Sequence, residues 1–478
     1  MKGLKMIDVS CTAIEKLPDS VTYLKRLIQL NLRFCKKLTK LPEQLGDMKG
    51  LKELEAGFSA ITRLPDSITQ LKELFRLDLY GCKKLRNIPE HIGNLESLRR
   101  FGAEHLDAHG TSIKQVPDSI RLLSRLQVLN LGNCKKLEYV PKSIWNLTSV
   151  GRLHLEAGDI GFLSLPDSVE KLNKLTTLHL NCNVRLCLPM ILRFPCLEKL
   201  FLTDEGQILS SAEPLSLSQL LNLRVLALNK CTSLGSSLPA LPLNLEGLHL
   251  CDHSSLEHLP DLSSLHLLER LDVQRCISLK SISLLPRHLL SLSVEECTSL
   301  QDLPDLSMLK ELEYLRFTRC SNLKSITLKQ SILQGARYYL FTSHLPNREV
   351  AEWFDYKSSG HTVSFDVPPS SGSNFLGLAI WLVYTCKPTH VDSTYITAVI
   401  SNKTESITAN CRIHLHPVGG EAESSVQCIR GEKIPVKSGD RVKVSFGSLM
   451  YCCFKFKDND VLVGEVKVKM CGVHVIQD

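Results

Sequence analysis

A chain of 478 residues, 43% hydrophobic and 22% charged, holds enough apolar material for a large core, so global disorder is excluded and length alone suggests about three domains. Lys and Arg exceed Asp and Glu by 57 − 50 = 7, a mild excess that argues against a dedicated nucleic-acid binder. No run of about 18 uncharged apolar residues occurs, and Met1-Lys2-Gly3-Leu4-Lys5 lacks the apolar stretch of a signal peptide, so a membrane span and secretion are both disfavoured.

From the N-terminus onward one frame recurs. Leu27-x-x-Leu30-x-Leu32-x-x-Cys35-x-x-Leu38-x-x-Leu41-Pro42 reappears from starts at Leu4, Leu27, Leu51, Leu74, Leu98, Leu126, Val150, Leu175, Leu197, Leu223, Leu245, Leu268, Leu289 and Leu312. These 14 starts give a mean period of about 24, which falls in the range of the leucine-rich repeat. Leucines two apart, such as Leu30 and Leu32, point to one face of a short strand, and stacked neighbours bury them together. The spacing therefore predicts a curved parallel sheet over residues 1–330. Most early repeats close on Leu-Pro and continue as Pro18 to Val21, Pro65 to Ile68, Pro117 to Ile120 and Pro166 to Val169, all Pro-Asp-Ser-Ile/Val. A short helix or 3-10 turn is expected there on the convex side, with Asp and Ser taking up its free N–H groups. Later repeats read Pro260-Asp261-Leu262 and Pro304-Asp305-Leu306, with less helix expected.

Of the 18 cysteines, seven share the ninth repeat position: Cys35, Cys82, Cys134, Cys231, Cys276, Cys297 and Cys320. They are expected to form a buried ladder of small, weakly hydrogen-bonding side chains. With no CxxC pair and no signal segment, a reducing cytoplasmic or nuclear compartment fits this usage. Two intervals are long, Leu98 to Leu126 and Leu197 to Leu223, and insertions of this kind form loops on one face.

The non-leucine strand positions, third, fifth, seventh and eighth, line the open face of the sheet. Early repeats place Arg33, Phe34, Arg76 and Tyr80 there, and late ones Arg270, Arg275, Tyr314, Arg316 and Arg319. Arginines and aromatics are the residues enriched at protein-interface hot spots, so these are the candidate partner-binding residues. Acidic residues such as Asp78, Asp252, Asp272, Glu295 and Glu296 interleave with them, which favours a protein partner over a phosphate backbone. His154 and His179, at fifth positions of adjacent repeats, should lie ~5 Å apart. They and the pair His414 and His416 lack the further ligands of a metal site. No phosphate-binding loop, GxSxG, HExxH or kinase motif occurs, so neither a catalytic role nor a cofactor is expected.

Leucine falls from 77 in residues 1–330 to 9 in residues 331–478, where alternating β-type runs take over. Strands are expected at 362–367, 375–384, 395–400, 412–416, 441–446, 451–456 and 465–475, separated by Gly, Pro and Ser clusters. Such spacing indicates an all-β jelly roll or sandwich. Trp353 and Trp381 leave a carbohydrate-binding module as a minor alternative.

The text Leu345-Pro-Asn-Arg-Glu349-Val-Ala-Glu352-Trp353-Phe354, then Ser358-Ser359-Gly360, Phe375-Leu-Gly377-Leu-Ala379 and the closing Cys471-Gly472-Val473 resembles the C-terminal jelly-roll domain of plant TIR-type nucleotide-binding leucine-rich-repeat immune receptors. Asn347 and Ala351 stand where that family commonly has glycine and proline. The Cys-Lys-Lys-Leu and Leu-Pro-Asp-Ser text of the repeats is similar to the same receptors. The resemblance covers the sensor half of such a receptor and neither its TIR nor its nucleotide-binding domain, so NAD cleavage and ATP binding are not carried over. It implies recognition of a pathogen effector by protein–protein binding. The alternative is a non-enzymatic adaptor or decoy that binds a host protein or a full-length receptor.

Overall fold

The computed structural model describes residues 3–98, 100–101, 110–157, 171–181, 189–204, 216–231, 234–306, 308–323, 340–345, 349–369, 375–386, 394–415, 423–452 and 461–477. They divide into two compact units, Met1–Leu234 with Pro239–Asn244, and Gly235–Leu238 with Leu245–Asp478.

In the first unit the leucine spacing becomes strands β1 (Met6–Asp8), β2 (Gln29–Asn31), β3 (Glu53–Glu55), β4 (Arg76–Asp78), β5 (Arg100–Phe101), β6 (Val128–Cys134), β7 (Arg152–Ala157), β8 (Thr177–Asn181), β9 (Lys199–Thr203) and β10 (Val225–Asn229). Each begins two residues after a repeat start. Consecutive strands pair in parallel, with equivalent positions side by side, as in Leu30 to Leu54 to Leu77. Along β8 the faces alternate, Leu178 and Leu180 buried and Thr177, His179 and Asn181 half-exposed. The leucines form the core. At about 25 cal/mol per Å² of apolar area removed from water, each contributes roughly 1.5–3 kcal/mol.

The Pro-Asp-Ser segments form 3-10 turns at Asp19–Tyr23, Asp66–Gln70 and Asp118–Leu122, and Pro-Lys-Ser gives one at Lys142–Asn146. The segment from Pro166 lies outside the described residues. One expectation is corrected: no side chain caps these turns. Ser67 instead donates to the Glu43 carbonyl and accepts from the Gly46 N–H at 3.1 Å, and Ser119 does the same for Glu90 and Gly93. The serine finds the orphan groups of the preceding repeat nearer than its own. A Cβ on Gly46 or Gly93 would sit 2.1 Å from the Ser67 or Ser119 carbonyl oxygen, so only glycine permits this lock.

The second unit begins with β11 (Gly247–Cys251), β12 (Arg270–Gln274), β13 (Ser291–Glu295) and β14 (Tyr314–Thr318), again parallel and in the leucine register. The Pro-Asp-Leu segments here carry no helix among the described residues. A further strand, β15 (Leu340–Leu345), continues the parallel ladder beside β14. The other strands are β16 (Tyr356–Ser359), β17 (Thr362–Asp366), β18 (Phe375–Cys386), β19 (Thr394–Asn402), β20 (Ile407–Leu415), β21 (Glu423–Arg430), β22 (Arg441–Phe446), β23 (Leu449–Cys452) and β24 (Val461–Gln477). On its far edge β15 turns to antiparallel pairing with β21, which leads on through β18 and β24 to β16. A second antiparallel sheet joins β17, β22, β19 and β20, and β23 bridges β19 to β24. Between the sheets lies an apolar core that includes Phe365, Leu378, Ile380, Leu382, Tyr384, Ile396, Ile400 and Val444. The sequence reading lacked β15, β16 and β21.

Candidate binding face

Within the first unit the open face carries one tightly organised cluster. Phe34 and Phe58 stack with ring centroids 4.7 Å apart, and Phe58 meets Tyr80 edge-on at 5.0 Å. Phe34 stays 41% exposed, so the stacked rings leave apolar surface open on this face. Beside these rings, Arg76 lies 2.9 Å from Glu55 and 3.5 Å from Glu53, and Arg33 reaches Asp78 at 3.5 Å and Glu55 at 3.8 Å. Glu55 and Asp78 are buried, so the arginines compensate charges taken out of water. Asp78 also accepts the Tyr80 N–H, and Asn31 accepts the Arg33 N–H, which fixes where the strand ends. The two arginines are therefore held in place before any partner arrives.

The eighth position has a property that the sequence reading missed. Its backbone is left-handed in Cys11, Phe34, Phe58, Asn133, Lys230, Asp252, Arg275, Glu296 and Arg319, with φ of 52–60°, and in Gly81 at 67°. This bend ends each strand and lets the residue's N–H reach the next repeat, as from Phe34 to the Gly57 carbonyl at 2.8 Å. Left-handed backbone costs a non-glycine residue roughly 1–2 kcal/mol. Glycine, asparagine and aspartate at three of these places were the available signal.

In the second unit the candidate residues are paired differently. Arg275 makes a two-pronged contact with Asp252, Nε to Oδ1 at 2.6 Å and Nη2 to Oδ2 at 2.8 Å. Arg316 lies 2.9 Å from Glu295, and Arg319 pairs with Glu296. His249 sits 2.7 Å from Asp272 across neighbouring strands. Arg270 is exposed and Tyr314 half-exposed at the start of their strands. The sequence places these nine residues on the open face of their units. It does not foresee that five of the six arginines are already paired.

The ninth-position cysteines are buried and unoxidised. Their thiols donate back to the preceding repeat, Cys35 to the Val9 carbonyl at 3.1 Å and Cys82 to that of Ala56 at 3.2 Å. In alternate repeats of the first unit a hydroxyl takes the slot, and Thr12, Ser59 and Thr111 lie 3.3–3.6 Å from the thiols of Cys35, Cys82 and Cys134. Burial pushes the Cys82 and Cys320 thiols up to about 11 and Cys231 to about 12, so they stay protonated. His154 and His179 do meet, with ring centroids 4.3 Å apart, and His179 stacks on Phe201 at 3.9 Å. Among the described residues no group of three or more His, Cys, Asp or Glu gathers to hold a metal. His416 lies outside them. No helix among the described residues is long and apolar enough to cross a membrane.

The C-terminal motif assembles around one glycine. Val350 and Phe354 pack onto Gly472 of β24, where a Cβ would come within 2.4 Å of Val350 Cγ1 and 3.2 Å of Phe354. Phe354 meets Trp381 edge-on at 5.4 Å, Trp353 covers Phe354 at 4.6 Å, and Asp355 lies 2.6 Å from His474. Trp381 is fully buried, which removes it as a sugar platform. Glu349 and Glu352 are exposed, and Cys471 is buried. Gly377 admits the Ile429 carbonyl where a Cβ would be 2.2 Å away, and Gly360 turns β16 into β17 with φ of 115°. Asn347 is outside the described residues.

No protein-family model matches the chain, and no curated protein matches it. Similar solved structures include a leucine-rich-repeat protein of Leptospira interrogans, at 19% identity over 69% of this chain and 93% of that one, with a TM-score of 0.33. The Arabidopsis receptor kinase HAESA, in complex with a peptide hormone and a co-receptor, matches at 17% identity over 69% and 72%, TM-score 0.33. The Toll–Spatzle complex of Drosophila matches at 16% over 71% and 44%, TM-score 0.36. Values this low carry no argument about function. Strand after strand at the leucine period, the chain's own register gives it a leucine-rich-repeat fold.

Proposed function

We propose that the chain is the recognition part of an intracellular plant immune receptor, which binds a pathogen effector protein in the cytoplasm or nucleus without chemistry on it. The observation that carries this reading is the cluster of Phe34, Phe58 and Tyr80 flanked by Arg33 and Arg76. Rings and guanidinium groups already locked by neighbours lose little side-chain freedom on binding, one of the costs a protein interface must offset. The motif resemblance supports the same reading: Glu349 to Phe354 and Cys471 to Val473, distant in sequence, form one packed unit over Gly472, and a jelly roll would follow the repeats.

The test is affinity purification of the tagged chain from leaf cells with and without a pathogen, beside a Phe34→Ala, Tyr80→Ala double variant. Pathogen-dependent recovery of a foreign protein, lost in the variant, is the expected result. Recovery of host receptors alone, equal in both samples and for both proteins, would replace this reading with the adaptor one.

A further inference from the structure

The net charge of +7 is small, but it is unevenly laid out. In the first unit the turn after three ninth-position cysteines carries Lys36-Lys37, Lys83-Lys84 and Lys135-Lys136, all exposed. Each turn closes with the same bond, Leu38 N–H to the Cys35 carbonyl at 3.0 Å, Leu85 to Cys82 at 2.9 Å and Leu137 to Cys134 at 2.8 Å. A second backbone ladder stacks these turns along one rim, running from Thr39 N–H to the Glu15 carbonyl, Thr62 to Thr39, Arg86 to Thr62, Lys114 to Arg86 and Glu138 to Lys114. The lysine pairs thus stand in alternate repeats, roughly 10 Å apart at a strand spacing of ~4.8 Å. Lys16 and Lys40 lie side by side on the same rim.

Three other lysines of this unit have carboxylate partners, Lys52 with Glu73, Lys72 with Glu96 and Lys114 with Glu138. Among the described residues the six turn lysines form no ion pair. Nor does the turn require lysine. In the second unit the same two positions hold Ile277-Ser278, Thr298-Ser299 and Ser321-Asn322, and the turns close identically, Leu279 to Cys276 and Leu300 to Cys297 at 3.1 Å and Leu323 to Cys320 at 3.3 Å. Six like charges on one rim repel each other, so the fold gains nothing from them.

We propose that this rim docks on an anionic lipid bilayer. Ammonium groups repeated along one rim can meet a plane of headgroups together, and ammonium attracts phosphate as a point charge, without the fork that reads base edges. Tyr139, exposed on the same rim, is a residue type that settles at membrane–water boundaries. The rim adjoins the Phe34–Tyr80 cluster, the Lys36 N–H donating to the Phe34 carbonyl at 2.9 Å, so a membrane docked there would lie beside the recognition face.

The experiment is flotation of the full chain with vesicles of phosphatidylcholine alone or with about a third phosphatidylserine, at physiological salt. The rim variant K36T/K37S/K83T/K84S/K135T/K136S installs the pair that the same turn already accommodates at Thr298-Ser299. A charge-matched control changes Lys280, Lys310, Lys357, Lys403, Lys437 and Lys467 to Gln, and thermal melts check that both variants fold. Binding to the anionic vesicles only is expected. A lysine at the surface contributes about five-fold, so three in contact give about a 100-fold loss in the rim variant and little in the control. No binding to anionic vesicles, or equal loss in both variants, would overturn the proposal. So would tighter binding of a short DNA duplex or poly-glutamate that the rim variant loses, since the rim would then serve a nucleic acid or an acidic protein.

Discussion

The two units stack the same repeat and support it differently. In the first, the ninth slot alternates hydroxyl and thiol, Ser–Gly contacts lock the 3-10 turns, and the open face buries Glu55 and Asp78 beneath two arginines. In the second, cysteines fill the slot in consecutive repeats, as in Cys276, Cys297 and Cys320, and the arginines pair with more exposed carboxylates such as Asp252. Leucine spacing and the left-handed eighth residue are common to both. The strand and its bend are thus what the repeat demands, and the turns, the rim and the open face are free to diverge. Changes to the shared parts should weaken both units, and changes to the divergent parts only one.

The largest effect is expected from alkali, because the thiol ladder runs through both units. A buried thiol whose pKa is raised favours the folded state fully below its ordinary value of 9.0. That stability is lost as pH climbs from there through the folded value, about 11 for Cys82 and Cys320 and about 12 for Cys231. At about 1.4 kcal/mol per unit, Cys82 and Cys320 each cost roughly 3 kcal/mol across the window and Cys231 roughly 4 kcal/mol. Thermal melts from pH 8 to 11 should fall steeply, and Cys82→Ala with Cys320→Ala should flatten the fall. A curve of unchanged slope in the double variant would show that other groups drive it.

Next comes a substitution that separates the units. Gly46→Ala places a Cβ against the Ser67 backbone, which cannot swing aside, and should destabilise the first unit by about 1–3 kcal/mol. Hydrogen exchange would register the loss around Leu45 and Ile68, and protection of β12 should stay as it was. A smaller contrast follows from the open faces. Arg76→Ala leaves buried Glu55 with Arg33 as its remaining partner and should cost about 1–2 kcal/mol, whereas Arg275→Ala, at a more exposed pair, should cost under about 1 kcal/mol. Equal costs by denaturant titration would mean that burial of the carboxylate does not set the difference.

How far the chain could be read before its structure follows the same division. All fourteen repeat strands begin two residues after the leucine starts, because apolar spacing alone decides which residues must be covered. Strand β15 escaped because its frame holds Phe341 and Ser343 in the leucine slots, although its backbone continues the ladder. The face residues were legible as types and positions. Their ion pairs were not, because Arg33 reaches Asp78 two repeats away, a contact set by strand stacking and absent from any single repeat. The Ser67–Gly46 lock was hidden for the same reason. Its two halves lie in different repeats, and each looks like an ordinary turn residue alone.

The subtlest expectation concerns the place where the repeats give way to antiparallel sheet. His414 of β20 has its pKa lowered by burial, and then by the positive charges of Arg316 and Arg412. Arg316 belongs to the last leucine-rich strand, so a repeat-face arginine acts on the all-β part of the same unit. A histidine held neutral in the fold supports it fully above the ordinary value of 6.5, and that support is lost as pH falls below, because only the unfolded chain takes up the proton freely. Mild acid should therefore loosen the second unit before the first. Arg316→Ala removes one of the two charges and should raise the His414 midpoint in an NMR titration, although Glu295 loses its partner in the same step. A midpoint that does not move would mean that burial alone holds the ring neutral, and acid sensitivity would then belong to the β20 environment and not to the junction.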